Sequence, residues 1–400
     1  MPTERKRVIT FSSQNQIGLI QEDGTHERYL DFPITGQARW ALGPLFRDGR
    51  RIIVTSYEDV TISKLVQGEV KTRTWIYDLQ SSAIEVILQK GRKGNFMYCH
   101  SILPGESRVG VNAFIAGEER IFSMDLDGGN AVEITRAGEG FCYCVELNPA
   151  GDRLAFHVTG SKHAQQFQPL WYRPGPYSIN TIELEGQERI LIAGAPGHLY
   201  FGPNWAPDGK WLVYLDCHND ADPAHFWADI CIGRADGSEQ RVVTSGQSHW
   251  FGTTYGPKDQ RGGGSNIARW MPDGRHVLYT RVAPGSHPDC EYHAELPDHC
   301  ECVYNPAKAR GGSQVCLLDP FNGETKAVTE YAEHQWDFRA AASPDGQKIV
   351  FTRARVDQVS ELWLTDADGK NQHLLSRGVN GRGAGGRGAD AGRWLTLNLE

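Results

Sequence analysis

Three histidines stand just ahead of short runs that read as strands: His198, His249 and His334. Each has an aromatic close by: Tyr200, Trp250 and Trp336. Histidine changes charge nearest neutrality, so it serves as general base or acid. Aromatic faces pack on pyranose rings while charged groups hold the polar edges. Arg269 and Arg339 supply the charge, Asp337 lies two residues before Arg339, and Tyr255 sits in an insertion after His249. An arginine pairs with a carboxylate through two parallel bonds and so acidifies the carbon next to it. The candidate catalytic set is therefore His198, Tyr200, His249 and Arg339, which would suit β-elimination if the substrate carries a uronate. His100, Trp250, Tyr255, Arg269, His334, Trp336 and Asp337 are the candidate substrate contacts. Hydrolysis would need two carboxylates about 5 to 10 Å apart. Asp337 is one, and the sequence offers no evident second.

A separate group is His287, Cys290, His293, His299, Cys300 and Cys302, all in one insertion after Arg281. Thiolate and neutral imidazole are the ligands zinc selects, although this spacing matches no finger or ribbon. A divalent metal, zinc, manganese or calcium, is the expectation it raises, beside the plainer reading of a polar surface loop. The nine cysteines are an odd number, which fits reduced thiols or a metal better than a disulfide framework. Cys99, Cys142 and Cys144 read as packing residues on inner strands. There is no Gly-x-Ser-x-Gly elbow and no dinucleotide fingerprint.

The elements that must position these residues are repeats. Pro-Asp-Gly precedes a β-branched or aromatic run at Pro207, Pro272 and Pro344, with degenerate copies at Arg47-Asp48-Gly49, Pro104-Gly105 and Pro149-Ala150-Gly151. Proline presets φ, aspartate bonds its own backbone and glycine takes the left-handed turn position. A second turn follows each, at Asp127-Gly128, Glu185-Gly186, Asp236-Gly237, Asn322-Gly323 and Asp368-Gly369, with Asp78-Leu79-Gln80 as a weak copy. An extra second turn, Glu22-Asp23-Gly24, lies ahead of the first full repeat, and a leftover strand occupies 393–399. Pairing that strand with the N-terminal strands within 6–33 completes one more unit and removes both exposed edges. The expected fold is all-β: one domain over 1–400, a seven-bladed β-propeller of four-stranded blades closed by its two ends. Two packed sandwiches are the rival, but no composition shift marks a boundary. The Gly-rich stretch 378–392, with Arg382 and Arg387, reads as a crossing into the closing strand.

Net charge of −8 with both signs spread along the chain gives no reason to expect nucleic acid or an anionic membrane as partner. No apolar run nears the roughly 20 residues that span a bilayer, and the start lacks a signal-peptide core, so a cytoplasmic location is expected. A non-catalytic propeller that binds a glycan or protein is the alternative from another class.

Trp270-Met271-Pro272-Asp273-Gly274 with Val277-Leu278-Tyr279, and Gly197-His198 opening a repeat, resemble the TolB-type propeller unit and, among enzymes, the oligogalacturonate lyase family. The resemblance implies a propeller fold and β-elimination of small uronate oligosaccharides. It also implies a manganese held by histidines five and seven residues before one turn proline and five before another. Those positions are Arg339, Asp337 and Ile267 in this chain, so the family's metal site is not carried over.

Overall fold

The computed structural model describes residues 5–13, 16–32, 39–57, 64, 67–159, 177–184, 188–196, 198–218, 227–249, 251–254, 262–287, 289–292, 302–379 and 389–398. Every extended element among them is a strand, and no helix is long and apolar enough to cross a membrane.

The strands pair as successive antiparallel meanders. Arg39–Leu45, Arg51–Tyr57, Thr72–Asp78 and Ile84–Ile87 form one; Met97–Ile102, Arg108–Ile115, Glu118–Asp125 and Val132–Glu133 the next. Phe141–Leu147, Arg153–Thr159, Ser178–Glu183 and Arg189–Ala193 follow, then Tyr200–Trp205, Trp211–His218, Trp227–Arg234 and Gln240–Val242. Arg269–Trp270, Val277–Val282, Ser313–Leu318 and Thr325–Ala327 precede Gln335–Ala342, Lys348–Arg355, Glu361–Asp366 and His373–Ser376. The set that remains joins the two ends of the chain: Asp390–Asn398 pairs with Arg5–Ser13, which pairs with Gln16–Gln21 and through it with Arg28–Tyr29. Val8 faces Leu395 and Ile9 faces Trp394 in that register.

The turns take the geometry their residues dictate. Gly209, Gly274 and Gly346 all have positive φ and donate their N–H back to Ala206, Met271 and Ser343. Asp208 and Asp273 accept the N–H two residues on, at 2.9 and 2.8 Å.

Apolar packing links each meander to the next. Phe46, Ile53 and Ile76 pack on Met97 and Val111; Ala155 and Ile179 on Trp205 and Tyr214; Val213 and Ile230 on Trp270 and Tyr279; Met271 and Val315 on Ile349 and Phe351. The closing set packs both ways, through Val8, Leu395 and Leu397 onto Ile52 and Trp75, and through Ile9, Phe11 and Trp394 onto Val350 and Leu362. The core is thus a circle of interfaces around an axis lined by the first strand of each meander.

Those first strands share a bulge. Register slips between Leu42 and Leu45, Cys99 and Ser101, Tyr143 and Glu146, Phe201 and Asn204, and Phe338 and Ala341. Cys144, Gly202 and Arg339, each four residues before the residue that accepts the turn bond, have φ of 51°, 60° and 50°. A bulge bends the strand and re-aims its side chains, which here alters what faces the axis.

Candidate functional site

A cavity of about 700 Å³ opens on this axis, within the size range of ligand pockets. Arg269, Arg339 and Arg393 line it, with Trp205, Trp270 and Trp394 and the polar Asn204 and Ser265. Among the described lining residues there is no carboxylate.

Hydrogen bonds between neighbouring first strands hold the wall. Glu146 accepts Asn204 Nδ2–H at 2.6 Å and the Trp205 N–H at 2.9 Å. Asn204 Oδ1 accepts the Trp270 N–H at 2.8 Å, and Asn266 Oδ1 accepts the Arg339 N–H at 2.9 Å. Trp205 and Trp394 each donate Nε1–H to the carbonyl of the neighbouring strand, Glu146 and Ala341, while the buried Trp270 Nε1 has no partner. Burial pushes the Glu146 carboxyl up, against the pull of Arg269 and its own hydrogen bonds. Burial, with Arg269 nearby, pushes the Arg393 guanidinium below the usual arginine range. Arg393 also donates to the Gly43 carbonyl of the first meander at 3.1 Å.

Arg339 reaches toward the opening of the strand rather than its turn. Its Nε donates to the Ser265 carbonyl at 3.3 Å. Ser265 and Tyr200 occupy the same repeat position, six residues before Met271 and Ala206, so the guanidinium rises to the level of Tyr200. Two residues further out stands exposed His198, with Nδ1 2.6 Å from Asp216 Oδ2 and its ring stacked on Tyr200 at 5.3 Å and 5°. Asp216 is 4% exposed, and its other oxygen accepts the Leu199 N–H at 3.1 Å. Because a carboxylate can only accept, the neutral imidazole that fits this contact carries its proton on Nδ1 and presents Nε2 as the acceptor. Burial, and secondarily Asp216, push the Tyr200 phenol up to about 12, so at neutral pH it is a proton donor.

The other expected residues are distributed differently. Arg269 joins Arg339 in the cavity. Trp336 and Asp337 do not line it, which corrects their assignment as substrate contacts: both are wholly buried, Trp336 packed with Val282, Phe338 and Ala354. Asp337 is taken up by Arg353, with Nε and Nη2 each 2.7 Å from its two oxygens. The His100 ring lies against Gly110 and Ser101, where burial lowers its proton affinity to a pKa of about 3; it too is absent from the cavity wall. His334 is exposed, 3.6 Å from a Glu333 oxygen. His249 pairs by backbone with Trp227, while Trp250 and Tyr255 lie outside the described residues.

Of the His/Cys insertion, His293, His299 and Cys300 lie outside the described residues. Cys290 and Cys302 flank a short hairpin in which Tyr292 faces Cys302, and His287 Nδ1 accepts the Asp289 N–H at 3.1 Å. Among the described residues no group of three or more His, Cys, Asp or Glu converges as a metal site. Burial raises the Cys99, Cys142 and Cys144 thiols to about 12, consistent with packing residues.

The sequence reading passed over Arg393, Glu146, Asn204 and Asp216. Aligned repeats would have shown the middle pair, because Glu146, Asn204 and Arg269 all stand two residues before the residue that accepts the turn bond.

No protein-family profile matches the chain, and no curated protein matches it in sequence. Solved structures do. An oligogalacturonate lyase in complex with manganese is 14% identical, with a TM-score of 0.55 over 94% of this chain and 86% of that one. An oligogalacturonate lyase from Vibrio parahaemolyticus is 12% identical, with a TM-score of 0.52 over 93% and 86%. A puromycin-hydrolyzing peptidase from Mycobacterium tuberculosis is 12% identical, with a TM-score of 0.57 over 94% of this chain and 53% of that one, so the chain spans about half of it. Structures of TolB are matched as well. The likeness establishes an all-β, propeller-like fold of the kind the repeats resemble.

Proposed function

We propose that the meanders and the closing set are the seven four-stranded blades of a propeller, and that it is a carbohydrate-active enzyme cleaving a uronate-containing oligosaccharide by β-elimination. The observation that carries this reading is Arg339, a non-glycine residue held at φ 50° on a bulge, whose Nε donates to the carbonyl of Ser265, the counterpart in its own repeat of Tyr200, which stacks on the His198 ring of the His198–Asp216 pair.

In the reaction Arg339 pairs with the uronate carboxylate and spreads the charge that develops when the adjacent carbon loses its proton. His198 Nε2 takes that proton, Asp216 stabilising the imidazolium that forms. The electron pair becomes the new carbon–carbon double bond, the bond from the β carbon to the leaving oxygen breaks, and Tyr200 protonates that oxygen. The manganese ligands that the lyase family would place here do not fit this chain: Arg339 is a cation, Ile267 has no donor and Asp337 is sealed against Arg353. No step is assigned to a metal.

The test is the ultraviolet absorbance of the conjugated double bond during incubation with a panel of uronate oligosaccharides, with and without chelator. A rise lost in His198→Ala and Arg339→Ala supports elimination. New reducing ends without that rise would point to hydrolysis, and neither signal on any sugar would leave a binding propeller.

A further inference from the structure

The cavity wall holds charge that the proposed elimination does not use. Arg269 and Arg393 sit near enough for their charges to oppose each other; Glu146, behind the lining residues Asn204 and Trp205, draws on Arg269, and the described lining itself has no carboxylate to pair with Arg393. Two like charges on one cavity wall repel, and an anion between them offsets that repulsion. The two arginines come from different parts of the ring. Arg269 belongs to the 269–327 meander, whereas Arg393 lies on the closing strand and already bonds the Gly43 carbonyl of the first meander. The 335–376 meander separates them in the circle. Three tryptophans surround the space, and one, Trp270, is buried with an indole N–H that lacks an acceptor.

We propose that the part of the cavity between Arg269 and Arg393 is a binding site for a small molecule carrying two or more acid groups, and that the bound ligand clamps the closing strand to the 269–327 meander across the axis. One acid group pairs with Arg393 and another with Arg269, each through charge-assisted hydrogen bonds. A ligand that binds only the closed ring stabilises closure by mass action. The inference goes beyond elimination, since it requires binding and not turnover.

The experiment titrates the full chain with propane-1,2,3-tricarboxylate, inorganic pyrophosphate and, at matched ionic strength, acetate. Indole fluorescence reports binding, and hydrogen exchange reports protection of Arg5–Ser13 and Asp390–Asn398. Expected are saturable binding of a multi-acid probe at least about tenfold tighter than acetate, the worth of one charge-assisted bond, and slower exchange in both strands. Whichever of tricarboxylate and pyrophosphate binds tighter identifies carboxylate or phosphate as the acid group. Arg393→Gln should lose the preference and the protection, Arg393→Lys should recover part of each, and Arg269→Gln should lose the preference without touching the closing strand. Equal binding of acetate, unchanged binding in both Gln variants, or binding without protection of the two strands overturns the proposal. Failure of the elimination assay leaves these readouts untouched.

Discussion

His198 and Asp216 form a 2.6 Å pair in which the imidazole is exposed and the carboxylate is 4% exposed, on either side of the same strand pairing that sets Tyr200 opposite Asp216. The arrangement leaves the imidazole in water and keeps the carboxylate that orients it out of water.

Asp216→Asn tests that arrangement. The amide fills the same space but can donate to Nδ1, which moves the imidazole proton to Nε2 and removes the accepting lone pair. Turnover should fall by on the order of 10²- to 10⁴-fold with KM little changed and the thermal midpoint nearly constant. An unchanged kcat would exclude His198 as the base.

Arg339→Gly separates function from stability. At φ 50° a side chain costs up to about 1 to 2 kcal/mol that glycine does not pay, as Gly202 illustrates at the same repeat position. The variant should unfold in urea at an equal or higher midpoint while losing turnover. A clear loss of stability would show that the guanidinium's bonds outweigh the strain.

The same bulge explains what could and could not be seen in the sequence. Pro-Asp-Gly at 207, 272 and 344 fixed the turns because their chemistry is local, and the unmatched turn at Gly24 with the strand after Arg393 foretold the pairing of the chain's two ends. In a regular strand side chains alternate with period two, which would set Asp337 and Arg339 on one face. The slip between Phe338 and Ala341 breaks that period, so Arg339 lines the cavity while Asp337 stays opposite Arg353, its cross-strand partner. Nothing in residue types announces a bulge whose left-handed residue is an arginine. Arg393 was passed over because a glycine-rich neighbourhood looks like linker until the register with Arg5–Ser13 puts it on the wall.

Glu119 gives a pH dependence with a definite sign. Burial raises its carboxyl from 4.5 to about 7, against hydrogen bonds from Tyr98 at 2.6 Å and Asn112 at 2.7 Å. The folded chain therefore keeps this proton where the unfolded chain gives it up. The contribution is fully present below about 4.5 and is lost as pH rises through about 7, at up to about 1.4 kcal/mol per pH unit between. His157, lowered to about 3 by burial, acts oppositely as pH falls below 6.5, so the comparison must be with a variant. In Glu119→Gln the same Oε1 accepts both hydrogen bonds. Its urea midpoint should decline less than that of the parent between pH 5 and 7, a window set by the Glu119 shift; parallel curves would show that Glu119 is ionised throughout.

Closure by the two ends makes the last strand a determinant of stability for the whole ring. Leu397 is fully buried among Val8, Leu19, Ile52 and Tyr77, residues from both the closing set and the first meander. Leu397→Ala should cost about 2 to 5 kcal/mol, as for other well-packed core leucines, read from equilibrium unfolding. Removing residues 389–400 goes further, because it strips Arg5–Ser13 of its partner and exposes an apolar sheet edge containing Val8, Ile9 and Phe11. Such an edge pairs with other copies. The truncated chain should therefore aggregate at concentrations where the full chain does not, by light scattering. A truncated chain that stays dispersed and keeps the parent's unfolding midpoint would show that the remaining meanders hold the circle without their closing strand.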